Sequence, residues 1–285
     1  MTLGSNEGFA VPERLVEHAR RFYAEGGTPA TPRVAATVLL LRPGTGGFEV
    51  YVIRRVAEMA FGGMYAFPGG GVDPSDSRPD LDWSGPAPER WGERLRLPAD
   101  AAQAVVCAAA REVFEEAGVL LAGRPGGDVL GDVSGDDWES ARQALVSRRT
   151  GFAELLRRQR LALHSDLLVP WSRWITPEFE PRRYDTYFFV ALLPDGQRTR
   201  DVSGEADHTM WVRPADALAR ARAGEIAMLP PTMVTLAEVA DCADLATVPA
   251  VAAGRDVATP ITPRLELPGD GGRPRFLLDP RNTSI

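Results

Sequence analysis

The sequence contains no lysine; all 32 of its basic residues are arginine. That absence excludes Schiff-base chemistry and the lysine of a phosphate-binding P-loop. Ala, Gly, Pro and Arg are abundant together, as coding bias in a GC-rich genome produces, and the chemical exclusion holds whatever its origin. Cysteine is scarce too. Cys107 and Cys242 are too few for a disulfide framework or a zinc cluster. Cys107, set among alanines in a helical stretch, reads as a small buried hydrophobe. No run approaches 18 apolar residues, and no basic start leads into an apolar segment. The expectation is a reduced, soluble, cytoplasmic protein with no membrane partner. A net charge of −7 also lacks the dense basic surface that a nucleic-acid polymer requires.

What is present suffices for a full core, since 44% of the 285 residues are hydrophobic. Residues 1–11 read as a disordered end, and Pro12 to Ala24 as an amphipathic helix stopped by Gly26 and Gly27. Val34–Leu41 and Glu49–Arg54 are strand-length apolar runs joined by a turn-rich segment, the pattern of a hairpin. Three glycines, Gly69 to Gly71, follow a proline and are read as irregular backbone that turns tightly or approaches something closely. Residues 77–98 lack sustained periodicity and read as an inserted loop, and the insertion, taken as 77–102, is placed at the edge of a site as a lid. A strong alanine-rich helix runs from Ala99 to Ala117, with Gly118 where helices commonly end. Helices are predicted at 137–146, 152–163, 214–223 and 232–243, and strands at 171–175, 186–193, 209–212, 264–267 and 275–278. The division expected is an N-terminal extension (1–32), a main domain (33–245) and a C-terminal extension (246–285). This order suggests an α+β fold or a three-layer α/β/α sandwich.

Placed at 100° steps along the long helix, Glu112, Glu115 and Glu116 share one face. An ordinary solvated helix can carry such a face, and Arg111 could be its partial counter-charge. The glycine segment gives the acids another meaning. Clustered carboxylates suit Mg²⁺ or Mn²⁺, which complete their shell with waters and substrate phosphates. Glycine beside them lets backbone approach a diphosphate.

The run Arg111-Glu112-Val113-Phe114-Glu115-Glu116-Ala117-Gly118-Val119 matches the second half of the Nudix box without exception. Phe67-Pro68-Gly69-Gly70-Gly71-Val72-Asp73 resembles its first half, with Gly70 at the first glycine. Counting on from Gly70 puts Asp76 where the family has Glu, whereas counting back from Arg111 puts Gln103 there. Asp76 and Arg111 are 35 positions apart where the pattern has eight, so about 27 residues are inserted within the box. The chain thus resembles the Nudix hydrolases, in particular the split-box branch that includes eukaryotic peroxisomal coenzyme A diphosphatases. Thr176 to Val190 also looks like that branch. The resemblance implies a Nudix α/β/α sandwich with a mixed central sheet.

It further implies Glu112, Glu115 and Glu116 as metal ligands, with Glu205 as a fourth candidate and Asp207 a weaker one. Glu112 doubles as candidate base, Glu116 and Arg111 complete the catalytic set, and Arg111 holds the carboxylates in place. Gly69 and Gly70 shape the substrate loop, and Arg182 and Arg183 are candidate phosphate ligands. Tyr184 and Phe179 could stack on a base or pack in the core; His164 and His208 read as structural. The reaction implied is metal-dependent hydrolysis of a diphosphate in a small nucleoside diphosphate derivative, coenzyme A or acyl-CoA first. The motif of other CoA-cleaving members has Arg where this chain has Met59, which leaves ADP-ribose, NADH and nucleotide sugars as alternatives. A non-catalytic nucleotide-binding module is a further alternative, and a homodimer is compatible with the reading.

Overall fold

The two apolar runs at the start of the core form the expected hairpin, and the rest of the sheet is assembled on it. The structure, a computed structural model, describes residues 9–10, 13–56, 62–78, 80–200, 206–268 and 274–278. In chain order the first elements are β1 (Phe9–Ala10), α1 (Glu13–Ala24), β2 (Arg33–Gly44), β3 (Gly47–Arg55), β4 (Tyr65–Ala66) and β5 (Gly69–Gly71). There follow β6 (Trp83–Ser84), α2 (Pro88–Leu95), α3 (Ala99–Ala117), β7 (Ala122–Gly123), α4 (Asp136–Val146), α5 (Phe152–Gln159) and β8 (Ala162–His164). The chain continues with β9 (Val169–Ile175), β10 (Tyr184–Leu192), β11 (Ala206–Val212), α6 (Pro214–Arg222) and α7 (Pro230–Ala240). It closes with α8 (Val248–Ala253), β12 (Arg264–Glu266) and β13 (Arg275–Leu277).

The central sheet has the order β11-β3-β2-β10-β9. It is mixed, because β10 runs parallel to β2 and antiparallel to β9. β2 and β3 pair only near their turn, from Leu41 opposite Val50 to Gly44 opposite Gly47. Beyond that they splay, and the glycine segment fills the opening: β5 pairs with β2 and β4 with β3. Alternate side chains then face two cores. Val38, Leu40, Tyr51, Ile53 and Phe189 pack with α2, α3 and α5. Leu39, Leu41, Val50, Val52 and Val190 pack with α6, α7 and α8. This is the α/β/α sandwich expected. Among the described residues no helix is long and apolar enough to cross a membrane.

Three readings of the sequence are corrected. Gly69 to Gly71 is regular strand, antiparallel to Ala35–Thr37. A Cβ on Gly69 would lie 2.5 Å from the Ala36 carbonyl oxygen and 2.8 Å from Thr37 Cα, so this strand can dock only without side chains. The 152–163 helix stops at Gln159, because Arg160 adopts left-handed backbone (φ 55°) and turns the chain into β8. The 77–102 stretch is not a plain loop; it contains α2, opened by Pro88 at its first turn and ended at left-handed Arg96.

The insertion also has a different place from that of a lid. Trp91 is 4% exposed and meets Phe189 edge-on, with ring centroids 6.0 Å apart. No described residue between 77 and 102 lines the cavity beside the glutamates. The chain ends are tied as well: Phe9–Ala10, within the stretch read as disordered, pairs with Arg275–Phe276. A short helix, α8, arises in a stretch whose Pro and Gly content masked it.

Because Trp91 belongs to the core, Trp91→Ala should lower the unfolding free energy by about 3–5 kcal/mol. Urea denaturation checks this through the shift in midpoint at unchanged slope. A loss of only a few tenths would return the insertion to the surface.

Candidate active site

The platform is α3. Its alanine content favours helix, and it ends where Gly118 takes left-handed backbone (φ 69°) and donates its N–H to the Phe114 carbonyl. α2 packs along one side and the sheet along another, so the helix is enclosed nearly all round. The acids are therefore not on an ordinary solvated face: Glu112 is 8% and Glu116 4% exposed. Glu115 is half-buried.

Buried carboxylates need partners, and Arg111 supplies several of them. Its Nη1 donates to Glu112 Oε1 (2.7 Å) and Glu115 Oε1 (3.1 Å). Its Nε and Nη2 donate to Asp76 (3.0 and 3.1 Å), and Nη2 also to the Gly71 carbonyl (2.8 Å). Glu116 accepts from the Gly69 N–H at 2.7 Å. One arginine thus links the helix, the glycine strand and the turn after it.

Of the two positions reached by counting through the box, Asp76 is the one in contact with Arg111. It is wholly buried. It closes a capping box with Asp73 over the 3-10 turn Pro74–Ser77, where each aspartate accepts a backbone N–H of the other's segment. Gln103 instead donates to the Arg78 carbonyl and takes no part. Burial pushes the Asp76 carboxyl up, more than the Arg111 guanidinium pulls it back. Burial works against the Arg111 charge, but Glu112, Asp76 and Glu115 outweigh it and raise the arginine pKa. Asp73 is held below the usual range, chiefly by the Ser75 N–H.

The second observation is space. A cavity of about 840 Å³ is lined by Gly69, Gly70, Gly71, Arg111, Glu112 and Glu115 among others. Gly70 is where the strand meets the acids most closely: a Cβ there would stand 2.4 Å from Glu112 Oε1. Glu116 is not on the cavity wall. Among the described residues no group of three or more His, Cys, Asp or Glu converges to hold a metal ion. The donor set nonetheless suits a hard divalent cation, being all carboxylate oxygen beside a strand without side chains.

Other candidates fall away from these elements. Arg183 spends its guanidinium on the Thr176 and Ala30 carbonyls (3.0 and 2.8 Å), and Arg182 is exposed. Neither lines the cavity, so the structure does not bring them to the glutamates. Arg33, Arg148 and Arg149 do line it, which no local pattern had signalled. Tyr184 is on the cavity wall, whereas Phe179 is buried with Leu15 and Phe276. Asp207 pairs with Arg54 at 2.6 Å. Glu205 and Met59 lie outside the described residues. His208 Nδ1 meets the Tyr65 hydroxyl at 3.2 Å, and His164 is buried near Asp166.

Comparison with known proteins agrees with this geometry. A family model described as the NUDT19 Nudix domain matches residues 86–239. The acyl-coenzyme A diphosphatase NUDT19 of Homo sapiens is 28% identical, over 71% of this chain and 63% of its own length. Its Xenopus laevis counterpart is 24% identical over 68% and 60%. The chain thus spans about three-fifths of the length of these curated relatives. A crystal structure of a NUDIX hydrolase from Alicyclobacillus acidocaldarius superposes with a TM-score of 0.63 at 27% identity, covering 78% of this chain and 96% of that one.

Two outcomes follow from the glycine strand. Gly69→Ala meets backbone atoms and should lower stability, read as a fall in melting temperature. Gly70→Ala meets only the end of the Glu112 side chain and should leave melting nearly unchanged while activity falls. The reverse assignment of effects would contradict the packing. The thiols give a separate check: burial pushes Cys107 and Cys242 up. Ellman's reagent at pH 8 should titrate no thiol in the native protein and two after denaturation.

Proposed function

Since the chain belongs to the Nudix hydrolase family, we propose that it hydrolyses the diphosphate linkage of a nucleoside diphosphate derivative, with coenzyme A or an acyl-CoA as substrate. One observation carries the reading. Buried Glu112 and half-buried Glu115 stand beside a side-chain-free strand at the wall of a cavity of about 840 Å³, with Glu116 hydrogen-bonded to that strand behind them. Small-molecule pockets commonly span roughly 300–1,000 Å³, and this cavity is toward the upper end of that range. The names of the NUDT19 relatives support the acyl-CoA assignment.

Glu112, Glu115 and Glu116 would hold a divalent cation, Mg²⁺ or Mn²⁺, with Glu205 a further candidate. When bound, such an ion offsets phosphate charge and lowers the pKa of a coordinated water. The remaining work belongs to the chain. Arg111, fixed by Asp76, orients the Glu112 and Glu115 carboxylates. The bare backbone of Gly69–Gly71 lets the diphosphate lie close to the strand. Glu112 accepts the proton of the attacking water as its oxygen bonds to phosphorus. The bridging P–O bond breaks on the far side. Its electron pair leaves with the second phosphate, giving a nucleoside monophosphate and a phosphorylated remainder.

Glu116→Gln should reduce Mg²⁺-dependent turnover of acyl-CoA by roughly 10²-fold or more. It should move the melting temperature by less than ~4 °C. Product analysis by chromatography across coenzyme A species, ADP-ribose and NADH reads both activity and substrate. Full turnover by the variant would sink the assignment, and faster cleavage of ADP-ribose than of any CoA species would replace the substrate.

A further inference from the structure

The cavity continues well beyond the carboxylates. Cross-strand register carries a single row over the sheet, from Gly71 to Ala35, Thr186 and Trp174. These four residues sit on four neighbouring strands and all line the cavity. Three inter-strand steps of about 4.8 Å make a span of about 14 Å from the glycine strand to Trp174. A diphosphate held at the glutamates leaves much of that length to the rest of the substrate.

The wall at the Trp174 side is largely apolar, with Ile175, Pro177 and Pro263 beside Trp174 and the Glu180 carboxylate as its charged member, and part of it comes from the two chain ends. Leu15 of α1 and Phe276 of β13 both line the cavity. They pack with Ala19, Phe179 and Leu265 in a cluster separate from the two cores of the sandwich. Pairing of β1 with β13, and of β13 with β12, ties these segments together. The bridge between Trp174 and Ile261 fixes the chain leading into β12 alongside β9. Leu15 and Phe276 both lie outside the stretch that matches the family model. Nothing in the carboxylate chemistry requires them.

We propose that the two terminal segments together form a subsite for the acyl chain of an acyl-CoA substrate, with Leu15, Trp174 and Phe276 as its contact residues. The assignment rests on the reading of the near end as a diphosphate site. The physical basis is continuity: one cavity joins a charged end suited to a metal-bound diphosphate to an end where Leu15, Trp174 and Phe276 offer apolar surface to a hydrocarbon, with Glu180 at its margin. Burial of methylenes there adds affinity that a tail-less substrate does not gain.

Calorimetric titration of the full chain in EDTA tests the subsite apart from catalysis. Wild type should bind decanoyl-CoA about tenfold or more tightly than free coenzyme A, and Phe276→Ala should remove most of that gain. Its affinity for free coenzyme A should stay within about twofold, and Phe276→Leu should keep the preference. Leu15→Ala provides a second variant should Phe276→Ala melt early. Equal affinity of wild type for the two ligands would overturn the proposal. So would equal losses for both ligands in the folded variants, since the wall would then serve the nucleoside. Preferential binding of decanoyl-CoA without hydrolysis in Mg²⁺ would leave the subsite standing and defeat acyl-CoA as the substrate.

Discussion

A guanidinium buried among carboxylates holds this molecule's functional end together. Arg111 pairs with Asp76, 35 residues earlier, and with Glu112 and Glu115 on its own helix, and it also reaches the Gly71 carbonyl. Buried charges are tolerated only when paired and hydrogen-bonded, and removing one partner of such a set is far costlier than breaking a surface pair. The geometry explains why an arginine stands here. Its planar fork serves one carboxylate with two nitrogens while the remaining donors reach others. The two halves of the box, parted by the insertion, meet through this side chain.

The same constraint explains the surroundings. Gly69–Gly71 must lie against β2 and α3 at once, and a Cβ at Gly69 or Gly70 would collide with one or the other. The insertion packs α2 on α3 and buries Trp91, so it withdraws the helix from water rather than covering the substrate. Withdrawal from water strengthens the electrostatics of Glu112 and Glu116. What began as an acidic stripe becomes a set of carboxylates largely withdrawn from water.

Much of this was legible in the sequence where the signal is local. The alanine-rich helix ends at Gly118 as its residues require, and the hairpin follows from two apolar runs. Counting from Gly70 reaches Asp76 and counting from Arg111 reaches Gln103; of the two, Asp76 is the one paired with Arg111. Signals that depend on distant chain were not readable. Gly69–Gly71 looked irregular because glycine disfavours strand in isolation, and only the crowding by Thr37 and Glu112 makes it the residue that fits. α2 was missed because its eight residues are short and mostly polar, with Trp91 finding its partner Phe189 nearly a hundred residues later. Arg182 and Arg183 carry charge in the right stretch, yet backbone carbonyls elsewhere claim Arg183. Cavity walls from Leu15 and Phe276 require the two ends of the chain to meet, which no local pattern encodes.

A divalent-cation site formed by the glutamates that Arg111 gathers is open to direct measurement. Equilibrium binding of Mn²⁺, followed by the free-ion signal in electron paramagnetic resonance, addresses it without substrate or turnover. Saturable binding is expected of the wild-type protein, and its loss in a folded Glu112→Gln, Glu115→Gln double variant. An unchanged isotherm in that variant would contradict that assignment.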